Sequence, residues 1–325
     1  MKIVTAVAQV LTVAVLMALV GVAAAQQAYP NKPIRMIVPY TPGGSPEVVA
    51  RLFGQKLTER SGQQVILDNR PGGNGIIAGE ALIKSPPDGY TIMMIANTHV
   101  IVPLLQTTPF DIIKDFAPVA TLTDSPFVIV LNPSVPANNL RELIALAKSK
   151  PGQINFASSG TGSLTHLLPE LLNILGGIKM QHIPYKGPGP AVADLIGGQV
   201  QLSIFAPATV LPHIQSGKLK PIAIGGSTRF PSLPLVPTFA EAGVPSLDMR
   251  FWYGFLAPVS TSKEVVNKLS IEIAEIMAIP DLKKKLSEQG LAPYISTPDE
   301  FAALLKSDMA NYAKIIKTAN IKLEN

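Results

Sequence analysis

The strongest constraint on the fold of this 325-residue chain is a pattern that occurs twice. Ile34-Arg35-Met36-Ile37-Val38 reads as a strand, Pro42-Gly43-Gly44 as a sharp corner and Ser45-Pro46-Glu47 as a helix start. In that start Ser is the N-cap, Pro the first helical residue and Glu the first-turn acid. The same order returns as Gln153 to Ser158, then Ser159-Gly160-Thr161-Gly162-Ser163, then an apolar segment from Leu164. Counted from Gly43 to Gly160, the two units lie about 117 residues apart. The halves read as architecturally parallel without a residue-level repeat. Length agrees, because one domain typically takes roughly 100–200 residues and this chain suits two.

The flanking periodicity extends both series. Val48, Val49, Leu52, Phe53 and Leu57 fall on one helical face, and Gly62 is placed to stop that helix. A strand at Val65 to Leu67, a helix from Ile76 to Lys84 and a strand at Thr91 to Ile95 follow. The second series has a strand at Phe127 to Leu131 and a helix at Leu140 to Lys148, capped by Asn138 or Asn139. Leu164 to Leu175 forms its corner helix, ended by Gly176-Gly177. Met180 to Pro184, Ala191 to Ile196 and Val200 to Phe205 add strand, helix and strand. Such alternation predicts largely parallel sheets with helices on both faces. Thr261…Glu264 and Thr297…Glu300 match capping boxes for helices running to about Met277 and Thr318, and Asn320 suits a left-handed C-terminal position.

The N-terminus reads as a targeting segment. Lys2 precedes an uncharged run from Ile3 to Val22, and Ala23-Ala24-Ala25 supplies small residues for cleavage after Ala25. The rival is an uncleaved anchor, since about 20 apolar residues can span a bilayer. The Ala-rich end leading into Gln26-Gln27 favours a signal peptide over residues 1–25 and a soluble, exported mature chain. With no cysteine, disulfides, thiolate metal sites and a cysteine nucleophile are excluded. Loss of Lys2 lowers the formal charge from +5 to +4. The basic residues are scattered, and Lys283-Lys284-Lys285 reads as a solvated helix face, so nucleic acid is not the expected partner.

Catalytic readings fare poorly. His99, His166, His182 and His213 show no metal-binding spacing and read as structural. Ser163 lies near His166, yet Gly-Thr-Gly-Ser-Leu is not a nucleophile elbow. Gly160-Thr161-Gly162 begins a dinucleotide pattern that Thr165 breaks, and Gly217-Lys218-Leu219 is not a phosphate loop. No catalytic residue, metal or cofactor is therefore assigned. The two corners point instead to anion capture: helix N-termini present unpaired N–H groups and about half a positive charge, and glycine admits a ligand to the backbone.

Tyr29-Pro-Asn-Lys-Pro-Ile-Arg, Asn69-Arg70-Pro71-Gly72-Gly73, Asp88-Gly89-Tyr90-Thr91 and Pro109-Phe110-Asp111 occur in order with both corners. His182-Ile-Pro-Tyr-Lys-Gly187, Gly197-Gly198-Gln199-Val200 and Val236-Pro237-Thr238 continue the series. With these motifs the chain resembles the substrate-binding receptors of the tripartite tricarboxylate transporter system. The resemblance implies a two-lobed periplasmic binding protein of type II, α/β, each lobe a mostly parallel sheet flanked by helices. Residues 26–126 plus 250–325 would form one lobe and 127–249 the other. It further implies a monomer that binds a small carboxylate (a di- or tricarboxylate, acidic amino acid or aromatic acid) and serves a membrane permease. A sensing receptor that partners a signalling protein is the alternative. Carried over, the ligand would meet Thr41, Pro42, Gly43, Gly44 and Ser45 on one side and Ser158, Thr161, Gly162 and Ser163 on the other. Asn97, Thr98, Phe205, Ala206 and Pro207 would flank it, and Tyr185 would either close the cleft or pack in the core. Glu47 stands where the family usually has aspartate; its longer side chain would either cap the helix or enter the cleft, where it would repel an anion.

Overall fold

A computed structural model describes residues 29–40, 45–288 and 290–322, with the Ser45 side chain left out. The signal-peptide segment and Thr41, Pro42, Gly43 and Gly44 of the first corner lie outside the described residues. The first series is β1 (Ile34–Val38), α1 (Ser45–Ser61), β2 (Val65–Asn69), α2 (Ile76–Ile83), β3 (Thr91–Ala96), α3 (Asn97–Leu105) and β4 (Phe116–Ser125). The second is β5 (Val128–Leu131), α4 (Leu140–Ser149), β6 (Asn155–Ser158), α5 (Leu164–Gly176), β7 (Gln181–Pro184), α6 (Pro188–Ile196), β8 (Leu202–Phe205), α7 (Pro207–Gln215) and β9 (Lys220–Ile224). The chain closes with β10 (Phe251–Pro258), α8 (Lys263–Met277), α9 (Pro280–Glu288), β11 (Ala292–Pro293) and α10 (Pro298–Thr318).

Local chemistry explains most boundaries. α1 turns Val49, Ala50, Phe53 and Leu57 into the core, leaves Val48 and Leu52 half-buried, and ends before Gly62 at φ 69°. Asn139 caps α4 by accepting the Glu142 amide, and Gly177 ends α5 in the left-handed region at φ 56°. Thr297 and Glu300 form the expected capping box of α10, and Asn320 has the expected positive φ. At α8 the expectation is off by one residue. Ser262, not Thr261, is the N-cap and accepts the Val265 amide. The Thr261 amide donates to the Pro258 carbonyl at 2.9 Å, which commits that residue to the preceding turn.

The two lobes each contain one sheet, ordered β11-β4-β10-β3-β1-β2 and β7-β6-β8-β5-β9. Both are mixed, which corrects the expectation of mostly parallel sheets. β1 pairs parallel with β2 and β3, and β6 with β7 and β8; β10 runs antiparallel to β3 and β4, β11 to β4, and β5 to β8 and β9. The reason is connectivity. Helical crossovers give parallel neighbours, whereas β4 carries the chain toward the second sheet and β10 carries it back, so the two must oppose. Phe251 of β10 accordingly faces Ser125 of β4. β4 and β10 escape a periodicity search because nearly every residue is buried, on both faces.

One hydrophobic cluster runs through both lobes, joining Ile37, Met93 and Trp252 to Phe127, Ile129, Phe156 and Leu168. The C-terminal helix α10 is its brace, packing on α3 and β4 of one sheet and on α5 of the other. No helix among the described residues is long and apolar enough to cross a membrane.

Candidate ligand-binding site

A cavity of about 360 Å³ lies between the two sheets. The first turns of five helices reach it: Pro46 of α1, Thr98 of α3, Leu164 and Thr165 of α5, Pro188 of α6, and Ala208 and Thr209 of α7. Its remaining wall is aromatic. Phe127 and Phe251 meet edge to face at 6.4 Å between ring centroids, and Phe251 meets Tyr253 at 4.8 Å. Tyr40 and Phe205 complete the ring surface. Strand alternation explains the β10 contribution: Phe251 and Tyr253 face the cavity, and Trp252 points the other way to stack edge-on with Phe301. Among the described residues, no Asp, Glu, Lys, Arg or His lines this cavity.

A second cavity of about 220 Å³ adjoins it, sharing Thr98, Ser159 and Ser163. Its other walls are the second corner (Gly160, Thr161, Gly162), Asn74 and Gln106, with Val102 and Leu105 of α3 as an apolar side. A third, of about 300 Å³, shares Tyr40 and Thr98 with the first and reaches His99. The Tyr40 hydroxyl faces Thr98 but makes no hydrogen bond of ordinary geometry, and burial holds it well above the usual phenol range, as a neutral donor.

The second corner is held by its own polar groups. Ser159 N donates to Thr165 Oγ1 at 2.8 Å, Gly160 N to Ser158 Oγ at 3.1 Å, and Gly162 N to His166 Nδ1 at 3.1 Å. Ser163 N donates to the Gly160 carbonyl at 3.1 Å. These four amides are therefore already engaged. Helix geometry instead leaves the Leu164 and Thr165 amides, at the first positions of α5, without an intrahelical acceptor. Behind the loop, Ser158 Oγ lies 2.6 Å from His182 Nε2, and the His166 and His182 rings stack at 3.7 Å. Burial, reinforced by the neighbouring ring, pushes His166 down to about 3, and burial pushes His182 down to about 4. Both are neutral at pH 7 and act as posts for the loop.

The structure sorts the expected site residues. Thr98, Ser163, Phe205 and Ala206 line the aromatic cavity, and Thr161 and Gly162 the polar one. Ser158 stands behind the corner on His182, and Pro207 is the buried first residue of α7; neither lines these cavities. Asn97 is a structural hub. Its Nδ2 donates to the Arg250 carbonyl, Asp308 and the Tyr312 hydroxyl, and its Oδ1 accepts the Trp252 amide at 2.8 Å. Tyr185 donates its hydroxyl to Asp194 at 2.7 Å and packs with the second-sheet core, outside the lining. Glu47 is buried, pairs with Arg51 one turn on, and lines none of these cavities. Sequence reasoning missed Tyr40, Phe127, Phe251, Tyr253 and Thr165. The aromatic run Phe251-Trp252-Tyr253 beside the lobe crossing was the signal available for two of them.

The model of the tripartite tricarboxylate transporter family receptor matches residues 49–321. The chain belongs to this family. The receptor is 36% identical over 317 residues to protein BugT of Bordetella pertussis, covering 96% of this chain and 97% of that one. The solved structure of a periplasmic transporter shares 39% identity with a TM-score of 0.78, covering 91% of the receptor and 100% of the other chain. An R. palustris protein solved with adipate shares 32% identity with a TM-score of 0.78, covering 91% and 99%. The solved relatives also include the periplasmic binding protein BugD, at 30% identity with a TM-score of 0.74 over 91% of this chain and 100% of that one, and the receptor shares their two-lobed fold.

Proposed function

We propose that this receptor captures a small carboxylate between its lobes in the periplasm and hands it to the membrane permease of a tripartite tricarboxylate transporter, without chemistry on the ligand. The observation that carries this reading is the convergence of five helix N-termini on one cavity between the sheets. Helix dipoles and first-turn amides favour an anion there with no cationic side chain in the lining. The adipate found with a relative at 32% identity supports the ligand class. In this reading residues 26–126 plus 250–325 form one lobe and 127–249 the other. The sharing of β1–β4, β10 and β11 in one sheet and β5–β9 in the second supports the division. The mature chain starts near Gln26 and works as a monomer. Ligand binding draws the lobes together because both lobes contribute walls to the site.

The test is thermal denaturation of refolded protein, freed of co-purified ligand, against a panel of carboxylates, amino acids and aromatic acids. At least one carboxylate raises Tm; a flat panel overturns the reading. Thr165→Val, which removes the hydroxyl that holds the Ser159 amide, weakens that carboxylate by tenfold or more while the protein remains folded. Unchanged affinity removes the α5 start from the site.

A further inference from the structure

Three cavities meet at one residue. Among the described residues, Thr98 alone lines the aromatic cavity, the polar cavity and the third cavity beside them. Tyr40, two residues past the end of β1, shares the first and third of these with Thr98. A rigid frame holds the pair. Asn69 Nδ2 donates to the Tyr40 carbonyl at 3.0 Å and Arg70 N to the Val38 carbonyl at 2.8 Å, which ties the end of β1 to β2. The Tyr40 ring meets the ring of His99, the residue after Thr98, edge-on at 6.0 Å between centroids. His99 is itself wedged: its Nδ1 accepts the Ala96 amide at 3.1 Å, and its Nε2 lies so close to Gly75 that no Cβ would fit there.

Inside this frame the Tyr40 hydroxyl is left over. Its oxygen is out of reach of solvent, faces the Thr98 side chain and makes no hydrogen bond of ordinary geometry. A sequestered polar group without a partner is costly and calls for a reason. The oxygen is too deep to touch a ligand directly, whereas Thr98 is only partly buried. A hydroxyl offers one hydrogen and two lone pairs. Once Thr98 gives its hydrogen to an anion between the lobes, its oxygen remains able to accept, and the Tyr40 hydroxyl is the donor that faces it. Hydrogen bonds in such a chain polarise one another, so each strengthens the next.

Resting on the carboxylate reading above, we infer that Tyr40 is a positioning residue for the ligand: its hydroxyl donates to Thr98 Oγ1 and so turns the Thr98 hydrogen toward the bound carboxylate. The bond tightens when the ligand arrives, which is why the hydroxyl stands without an ordinary partner in this structure.

The test is a double-mutant cycle, read by calorimetric titration of the refolded protein with malate, adipate and benzoate. For whichever of these binds the parent most tightly, Tyr40→Phe is expected to lower affinity about fivefold and Thr98→Val about tenfold. The double variant should match Thr98→Val to within about twofold, because Tyr40 acts only through Thr98. Thr98→Ser, which keeps the hydroxyl, should restore the dependence on Tyr40. Without ligand, Tyr40→Phe should melt no lower than the parent, since the hydroxyl it removes has no ordinary hydrogen bond to lose. Unchanged affinity in Tyr40→Phe overturns the inference and leaves the carboxylate reading standing. Losses that multiply in the double variant, or a lower ligand-free Tm in Tyr40→Phe, overturn it too, because either gives Tyr40 a role independent of Thr98. If the parent binds none of the three, the carboxylate reading itself is in question and the inference falls with it.

Discussion

Two buried polar clusters flank the cavity, and they handle charge in opposite ways. Where the chain crosses between lobes, the cluster is ionic. Asp308 accepts from Trp252 Nε1 at 2.8 Å and from the Tyr312 hydroxyl at 3.0 Å, and Asn97 ties both to the backbone of β10. Nearby, Arg250 pairs with Asp124 at 2.8 Å; burial, offset in part by Arg250 and reinforced by the like charge of Asp248, pushes that carboxyl up to about 6. At the second corner the cluster is neutral, built of serine and threonine hydroxyls and two imidazoles that burial keeps unprotonated. The difference teaches where each serves. Fixed charges suit a joint that must hold one register, while a loop facing an anion is better made of dipoles that favour it without neutralising it outright.

The comparison breaks most visibly at its ionic end. Asn97→Ala strips partners from the Trp252 amide, Tyr312 and Asp308 together, and should lower stability by about 2–4 kcal/mol in denaturant titration. A loss below about 1 kcal/mol would mean the joint does not depend on this hub. Ser158→Ala comes next. It removes the acceptor of the Gly160 amide and the partner of His182, and should cost about 1–3 kcal/mol while loosening the corner, so carboxylate affinity falls with stability.

Acid separates the two clusters by sign. His166 and His182 sit below their ordinary 6.5, at about 3 and about 4. Their contribution to stability is complete above about pH 6.5 and is lost as pH falls toward those values, because the unfolded chain takes up protons first. Asp124, raised from 3.8 to about 6, works the other way. Its buried charge weakens the fold above pH 6, and the penalty is relieved as pH falls toward 3.8. Tm measured from pH 7.5 downward should thus decline less steeply in His182→Gln and more steeply in Asp124→Asn than in the parent. Identical slopes in all three would remove both assignments. The smallest effect belongs to Arg51→Ala. Arg51 is 69% exposed although its partner Glu47 is only 9% exposed, so the pair should contribute no more than about 0.5 kcal/mol. Carboxylate affinity should change less than twofold, because the pair lies outside the lining; a larger change would bring Glu47 back into the question of ligand choice.

Much of this molecule is legible in its residues. The N-caps Asn139 and Thr297, the left-handed stops Gly62 and Gly177, and the corner helix from Leu164 are set by near neighbours, so local chemistry places them. The ordered motifs identify the receptor family on the same footing. β4 and β10 are different: buried on both faces, they show no alternation, and only their pairing reveals them as the antiparallel crossing. Asn97 and Tyr185 show the same limit at the level of single residues. A sequence places them beside the cleft, but partners about 9 to 215 positions away decide that one is a hub and the other is tied to Asp194.

By itself the sequence determined the repeated strand–corner–helix unit, the family and the expectation of an anion at a helix start, because each rests on residues a few positions apart. Tertiary structure decided what faces that anion. It set histidines behind the second corner and brought Tyr40, Phe127, Phe205, Phe251 and Tyr253 from both lobes onto one cavity. Those rings are spread over more than 200 residues of chain, and only the packing of two sheets across one crossing brings them together.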